Sequence, residues 1–521
     1  MSVNKNYDYY EHVRLNSFRE LIELNANKKP NSIAFKYKEG TETISKTYLE
    51  VYKDVVRLSN YLKKQYQNKH IALIGENSYS LIILFLAIVI SGNTCVLIDK
   101  DLNLEEIKEF MKKSDTKIIY YSENYCPFLN KIKNSIPLTK IKEYILKEEN
   151  LTLDFSENPK DDAVLFFTSG TTGPNKCVVL TSSNILADLY GASSLFTPGN
   201  KVVSMLPYHH AFGLITSVLK PYYYGVETYI NKSYKTLLKD LQEEKPETIF
   251  VVPAFITMFY KQIWKSARAK KQDKKLKRML KISNELLKIN IDLRKFFFKS
   301  ILDTFGGNLK YIICGGAYLD ESFIKWFRSI GIEILNGYGI TECSPVVSVN
   351  RNHFYKDGSV GQICKDIKVK IIDKEICVSG PIVMKGYYKD KKATDLVLKD
   401  GFFHTGDYGY IDSEGFLFIT GRIKNIIVLD NGENISPEAI EQELMQQPGI
   451  LEVIVYSKNN RLIASIYPSM EYMGNIEYFE QIIYKYNADK PKNHQFAFVE
   501  LRNKEFIKNN NGKILRDKVE E

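Results

Sequence analysis

Nine residues near the first third of the chain have side chains suited to an anion. "TSGTTGPNK" runs from Thr168 to Lys176 between the apolar runs "VLFF" and "CVVLT". Glycines let a backbone approach a ligand closely, and the hydroxyls of Thr168, Ser169, Thr171 and Thr172, with free N–H groups, donate to anionic oxygens. Lys176 offsets charge. The spacing of Gly170, Gly173 and Lys176 is G-x-x-G-x-x-K, which is not the Walker A pattern. Read from its residues alone, the stretch is a phosphate-binding loop of another kind.

Such a loop has to be held by something rigid. From His70 to Ile98 the chain reads as an apolar strand "IALI", a polar turn, an apolar helix "LIILFLAIVI", a Ser-Gly turn and a second apolar strand "CVLI". This is a βαβ unit, and fully apolar strands point to a parallel sheet covered on both faces. Similar strands recur at "KVVSMLP", "TIFVVP" and "LKYIICGG", so the large part of the chain is α/β. Ligands of open α/β sheets sit beyond the carboxyl ends of the strands. From Val360 to Phe418 short strands with glycine turns predict a β-rich subdomain. A new unit begins near Arg422 to Asn425, where a Ser cap and Pro437 open an acidic helix. The expected division is residues 1–423 and a small α+β domain over 424–521.

With 521 residues, 44% apolar and 26% charged, the chain is expected to form more than one globular domain. The beginning of the sequence has no apolar core of signal-peptide type, and the longest apolar run, ten residues, falls short of the roughly 20 a membrane helix needs. The seven cysteines are odd in number and show no CxxC pair, which argues against a disulfide framework or a zinc site and fits a reducing cytoplasm. The net charge of +10 is uneven: Lys265 to Arg278, "KSARAKKQDKKLKR", holds eight basic residues and one acid. A solvated helix or loop is the plain reading. An anionic membrane surface, contacted peripherally, or an acidic protein partner are the sharper ones. Nucleic acid is not expected, since no zinc-finger spacing or interleaved aromatics accompany the run.

In order along the chain, "TSGTTGPNK", "LPYHHAFG", "CGGAYL", "NGYGITE", "HTGDYGYID", "GRIKNIIVLDNGENISP" and "NGKILR" resemble the motifs of the adenylate-forming superfamily of acyl-CoA synthetases, carrier-protein adenylation domains and luciferases. The resemblance covers Val164 to Arg516, and reaches back more weakly to about residue 17. It implies a large N-terminal domain of stacked α/β sheets with a β-rich subdomain, and a small mobile C-terminal lid. It also implies a reaction in two steps. A carboxylate attacks the α-phosphorus of ATP and pyrophosphate leaves; the acyl-adenylate then passes its acyl group to a thiol.

By this resemblance Thr168 to Lys176 wrap the β- and γ-phosphates, and a loop that admits ATP and releases pyrophosphate has to move. Gly315, Gly316 and Ala317 match the segment along one face of adenine. Asn336, Gly337, Tyr338 and Gly339 match the adenine-binding run, in which the asparagine bonds the amino group and the tyrosine stacks. Thr341 matches the hydroxyl at the α-phosphate and Glu342 the carboxylate for Mg2+, a hard cation that needs few protein ligands. Asp407 and Arg422 match the pair on the ribose hydroxyls. Lys424 matches the hinge of the small domain, Gly432 the turn lining the thiol tunnel, and Lys513 the lysine brought to the developing charge at the α-phosphate. "KNNNGK" lacks the family's usual proline-lysine-threonine lead-in.

The substrate is expected to be an apolar acid. Amino-acid-activating members place an aspartate near "LPYHHAFG", where this chain has His209, His210, Ala211 and Phe212; an ammonium buried without a partner is costly. His210 matches the histidine found near the carboxylate in acyl and aryl members. Phe212, Phe255, Val346 and Val347 form the candidate acyl wall. "FFFKSILDTFGGNLKYIICGGAYL", "PIVMKGYYK" and "NGENISPEAIE" resemble the fatty acyl-CoA synthetase branch most. The acceptor is CoA or the phosphopantetheine thiol of an acidic acyl carrier protein; an aryl acid fits the wall equally, and a catalytically silent nucleotide-binding module is the reading of another class.

Overall fold

The computed structural model describes residues 5–168, 176–429, 434–458, 461–508 and 514–519. The run "LIILFLAIVI" lies in the helix Tyr79–Ile90, opened by Ser78, whose side chain accepts from the Leu81 N–H. Every residue of that helix except Ser80 is buried, as expected of a helix apolar on all sides. Among the described residues no helix is long and apolar enough to cross a membrane. The flanking strands His70–Ile74 and Thr94–Ile98 pair in parallel and form the middle of a seven-stranded sheet. Its order is Gly386–Tyr387, Lys176–Thr181, Asp162–Thr168, Thr94–Ile98, His70–Ile74, Ile118–Tyr121, Ser135–Pro137.

The two apolar flanks of the glycine-rich stretch are neighbours in this sheet. They pair antiparallel, with Thr168 opposite Lys176, although apolar composition alone predicts parallel strands. Both are apolar because both faces of the sheet are covered, which composition registers and direction does not change. Residues 169–175 lie outside the described residues.

A second sheet of nine strands has the parallel core Glu333–Gly339, Tyr311–Cys314, Thr248–Val251, Lys201–Ser204, Glu227–Ile230 and Ile33–Glu39. Antiparallel strands finish it at both ends: Val346–Val349 with Gln362–Ile363, and Glu42–Thr47. The strands "KVVS", "TIFV" and "YIIC" thus fall where the sequence placed them. The β-rich subdomain is a sheet built from Lys368–Ile372, Glu375–Ser379, Phe402–Ile411, Leu398–Lys399 and Leu417–Arg422. It starts later than the expected Val360, because Gln362–Ile363 completes the nine-stranded sheet instead.

After Arg422 a separate apolar cluster forms around Leu444, Val455, Ala464, Ile466 and Phe479. It lies beneath the strands Ile450–Lys458, Arg461–Pro468 and Phe496–Leu501 and the helices Pro437–Leu444 and Ile476–Ala488. Pro437 occupies the first turn of its helix, where its missing N–H leaves no bond unmade. This part touches the larger one through Lys261 Nζ, which donates to the Ile450 carbonyl at 3.1 Å, and Gln446 Nε2, which donates to Asp320 Oδ1 at 3.2 Å.

Candidate active site

Tyr338 stands near the end of the strand Glu333–Gly339, and its hydroxyl donates to Asp407 Oδ2 at 2.7 Å. Asp407 lies on Phe402–Ile411 directly opposite Arg422 of the neighbouring strand, and Arg422 Nε meets Asp407 Oδ1 at 2.9 Å. Both carboxylate oxygens of Asp407, which is 3% exposed, are therefore held by side chains from two sheets. Burial first, and then the Asp407 charge, push the Tyr338 hydroxyl well above its ordinary range, so it remains a donor. Three residues before Asp407 on the same strand, His404 Nδ1 sits 2.8 Å from Glu375 Oε2, and Glu375 Oε1 accepts the Gly406 N–H at 2.8 Å. This pair braces the backbone just before Asp407.

Glu342 lies in the tight turn Thr341–Cys343 and is buried. It accepts the Tyr387 hydroxyl at 2.9 Å. Lys176 Nζ rests 4.5 Å over the Tyr387 ring, a cation–π contact. Tyr387 gets there because Gly386–Tyr387 is the edge strand beside Lys176–Thr181. Burial pushes the Glu342 carboxyl above its ordinary range, while the Tyr387 hydroxyl and the Arg422 and Lys176 charges pull the other way. The buried Glu342 carboxylate offers oxygen ligands of the kind a hard divalent ion takes. Thr341 opens the same turn, half-buried.

The end of the strand Tyr311–Cys314 pairs with Asn336, which brings Gly315 beside Gly337. A Cβ at Gly315 would stand 3.4 Å from the Gly337 carbonyl oxygen and 3.6 Å from the Phe212 ring. Gly316 has φ +88°, a left-handed backbone that favours glycine, and Ala317 is exposed. A Cβ at Gly339 would meet the Pro345 carbonyl oxygen at 1.9 Å, so that close approach admits only glycine. Asn336 is 5% exposed; its Nδ2 donates to the Ser359 carbonyl at 3.4 Å, whereas its Oδ1 is buried with no partner. An unpaired buried acceptor costs about 1–3 kcal/mol, a cost that an amino donor from a ligand would remove.

Phe212 begins a π-helical stretch, Phe212–Leu219, a geometry frequent at functional sites. It packs with Phe255, Val346 and Val252 against one apolar cluster. Val347 does not join them: neighbours on a strand face opposite sides, and Val347 packs into the core around the helix Tyr79–Ile90. Val346 is held by its N–H, which donates to Asp188 Oδ1 at 2.8 Å, and Asp188 is ion-paired to the fully buried Lys220 at 3.1 Å.

The rings of His209 and His210 are 4.1 Å apart. No acid lies in "LPYHHAFG", but Asp99, just past the strand Thr94–Ile98, reaches to 3.7 Å from His209 Nε2. Burial pushes His209 down to about 4 and the Asp99 carboxyl upward. Sequence reasoning missed Asp99 and Tyr387. Asp99 had a signal, a polar residue at the carboxyl end of a parallel strand; Tyr387 had none by itself.

Lys424 is exposed in the turn that follows Leu417–Arg422, where the Asn425 and Ile426 N–H groups donate to the Arg422 carbonyl. Ser169, Gly170, Thr171, Thr172, Gly173, Gly432 and Lys513 lie outside the described residues.

Alpha/beta sheets whose strand ends carry a buried carboxylate, a tyrosine–aspartate–arginine chain and closely approached glycines are those of a nucleotide-binding class. More particularly, the chain belongs to the AMP-binding enzyme family, whose model matches residues 22–388. It is 25% identical over 437 residues to the long-chain-fatty-acid–CoA ligase FadD15 of Mycobacterium bovis, a match covering 76% of this chain and 72% of that protein. It is 30% identical over 385 residues to a long-chain-fatty-acid–CoA ligase of Escherichia coli, covering 69% of this chain and 61% of that one. In fold it resembles the o-succinylbenzoate CoA synthetase of Bacillus subtilis in complex with ATP and magnesium ion. That match has a TM-score of 0.73 at 20% identity, over 96% of this chain and 99% of that one.

Proposed function

We propose that the protein activates an apolar carboxylic acid, a fatty acid, with ATP and transfers the acyl group to the thiol of CoA. In the first step an acid oxygen bonds to the α-phosphorus and the bond to pyrophosphate breaks. In the second the thiol sulfur bonds to the acyl carbon, its proton goes to solvent, and AMP leaves. The observation that carries this reading is the convergence of two side-chain sets at the strand ends: Tyr338, Asp407 and Arg422 on one side, Glu342, Tyr387 and Lys176 on the other. The names of the relatives support a fatty acid, and the apolar wall of Phe212, Phe255 and Val346 suits one.

In this reading Asn336 Oδ1 accepts the adenine amino group, and Tyr338 stacks on the ring while its hydroxyl fixes Asp407. Asp407 accepts from the ribose hydroxyls and Arg422 donates to them. Glu342 holds Mg2+, which supplies charge neutralisation for the phosphates when bound; Tyr387 orients that carboxylate. Lys176 and the hydroxyls from Thr168 to Thr172 hold the leaving pyrophosphate. Thr341 donates to the α-phosphate, and His210 lies beside the acid. Residues from Lys424 onward form the lid that turns between the two steps, carrying Lys513 to the α-phosphate in the first and Gly432 to the thiol tunnel in the second. Such catalysis is mostly positioning and charge stabilisation.

The acceptor is tested by offering CoA and acyl carrier protein side by side with a mixed pool of fatty and aryl acids and weighing the thioesters formed. Acyl-CoA of alkyl acids is expected. Product on the carrier alone moves the acceptor to a phosphopantetheine thiol, aryl thioesters alone move the substrate, and ATP binding with no thioester leaves a silent nucleotide-binding module.

A further inference from the structure

The net charge of the whole chain resides in one surface element. Of the residues from Lys265 to Lys299, thirteen are basic and three acidic; without them the chain holds 59 basic and 59 acidic residues. The segment comprises the end of the helix Pro253–Ala269, the helix Asp273–Lys288 and the short helix Arg294–Phe297. Lys288, Arg294 and Lys299 are ion-paired to Glu285, Asp292 and Asp303. The other ten cations are exposed and pair with no acid among the described residues. Like charges held this close repel one another unless something anionic covers them.

A second feature lies at the end of the same helix. Ile289, Ile291, Leu293 and Phe296 are 65%, 43%, 41% and 78% exposed, within eight residues. Ile289, Ile291 and Leu293 lie in the turn between the helices Asp273–Lys288 and Arg294–Phe297, where Asn290 at φ +62° reverses the chain, and Phe296 lies in the second helix. Ile282, 41% exposed, lies two helical turns before Ile289 on the same stripe. The opposite stripe, Leu276, Met279 and Leu280, is packed into the core. Contiguous exposed apolar side chains beside a charged field mark a contact surface.

We propose that this face docks the protein on an anionic lipid bilayer, with Ile289, Ile291, Leu293 and Phe296 entering the headgroup boundary and the lysines facing acidic headgroups. Composition chooses the lipid over an acidic protein. Ten of the thirteen cations are lysines, whereas protein interfaces are enriched in arginine and depleted in lysine. Lysine clusters next to an inserted apolar segment are the chemistry of anionic membrane surfaces. Neither feature suffices singly, because stable surface binding takes apolar insertion and electrostatic attraction together. The helix Pro253–Ala269 connects this face to the site: its first turn carries Phe255 of the acyl wall and its last turns carry Lys265 and Arg268. The docking stands on the surface alone and goes beyond the chemistry proposed above.

The full chain is tested by cosedimentation with phosphatidylcholine vesicles, with and without about one quarter phosphatidylglycerol. Binding is expected only to the anionic vesicles and is expected to fall in high salt. Lys270→Glu, Lys274→Glu and Lys275→Glu together lower the partition coefficient about a hundredfold or more. Ile289→Asp with Phe296→Asp, at exposed positions that leave the core intact, lowers it at least tenfold. The proposal is overturned if the chain ignores vesicle charge, or if the lysine variant keeps its vesicle binding while losing affinity for an acidic carrier protein. Pyrophosphate exchange measured without vesicles stays unchanged in both variants. Its absence in the parent chain overturns the proposed reaction and leaves the docking result standing.

Discussion

Among the described residues Tyr387 is the side chain that hydrogen-bonds the Glu342 carboxylate, its hydroxyl donating at 2.9 Å. Burial already pushes the Glu342 carboxyl upward and Tyr387 opposes this. Tyr387→Phe therefore raises the Glu342 pKa further. The magnesium-dependent activity should keep its alkaline plateau and lose its acid limb at a higher pH than the parent; a pH–rate profile displaced to lower pH would count against the assignment. Asp407→Ala removes a carboxylate held by two charge-assisted or strong hydrogen bonds. It should raise the KM for ATP about 10- to 100-fold, each tenfold being about 1.4 kcal/mol, and lower the stability to urea by about 1–3 kcal/mol, because the buried Tyr338 hydroxyl loses its acceptor. Motif order made Glu342, Asp407 and Arg422 legible in the sequence. Tyr387 was not, since its strand has two residues and its partner lies 45 positions away. Val347 was misplaced for a simpler reason: a strand alternates its faces, so Val346 and Val347 cannot line one wall.

Elements were read well where their pattern is dense. The βαβ unit around Tyr79–Ile90 and the strands at Lys201, Thr248 and Tyr311 follow from apolar runs closed by turn residues. The hairpin Asp162–Thr168 with Lys176–Thr181 was legible as two strands but not as an antiparallel pair. The unit most exposed to test is the π-helical stretch Phe212–Leu219, which follows "PYHHA". A Cβ on Gly213 would stand 2.0 Å from the Pro207 carbonyl oxygen, so Gly213→Ala must push apart the turn that carries His210 and Phe212. A loss of about 1–3 kcal/mol is expected from overpacking, read as a lowered unfolding midpoint together with a raised KM for the acid. An unchanged midpoint would mean that the turn gives way freely.

For the whole molecule, two expectations concern how distant parts of the chain act together. Glu157 Oε1 accepts the Phe18 N–H at 2.7 Å, tying residues 139 apart, and burial pushes its carboxyl up to about 7. A pKa raised on folding gives stability that is complete below the unfolded value and is lost as pH rises through about 7. Glu157→Gln removes that loss. The variant should match the parent near pH 4 to 5 and exceed it by up to about 3 kcal/mol at pH 8, measured as urea midpoints; parallel curves would contradict the sign. Lys513→Ala should abolish adenylate formation and leave thiol transfer from supplied acyl-adenylate largely intact, and equal loss in both steps would refute a lid with two poses. The charge field of residues 265–299 was half legible: the lysines stand out in the sequence, but the exposure of Ile289 and Phe296 depends on which stripe of the helix Asp273–Lys288 the core takes. The central claim, that these residues join an apolar acid to the α-phosphate of ATP, is tested most directly by exchange of labelled pyrophosphate into ATP. Exchange that requires a fatty acid, and that vanishes in Glu342→Ala, is the predicted result. No exchange with any fatty or aryl acid, from a folded protein that binds ATP, would contradict it.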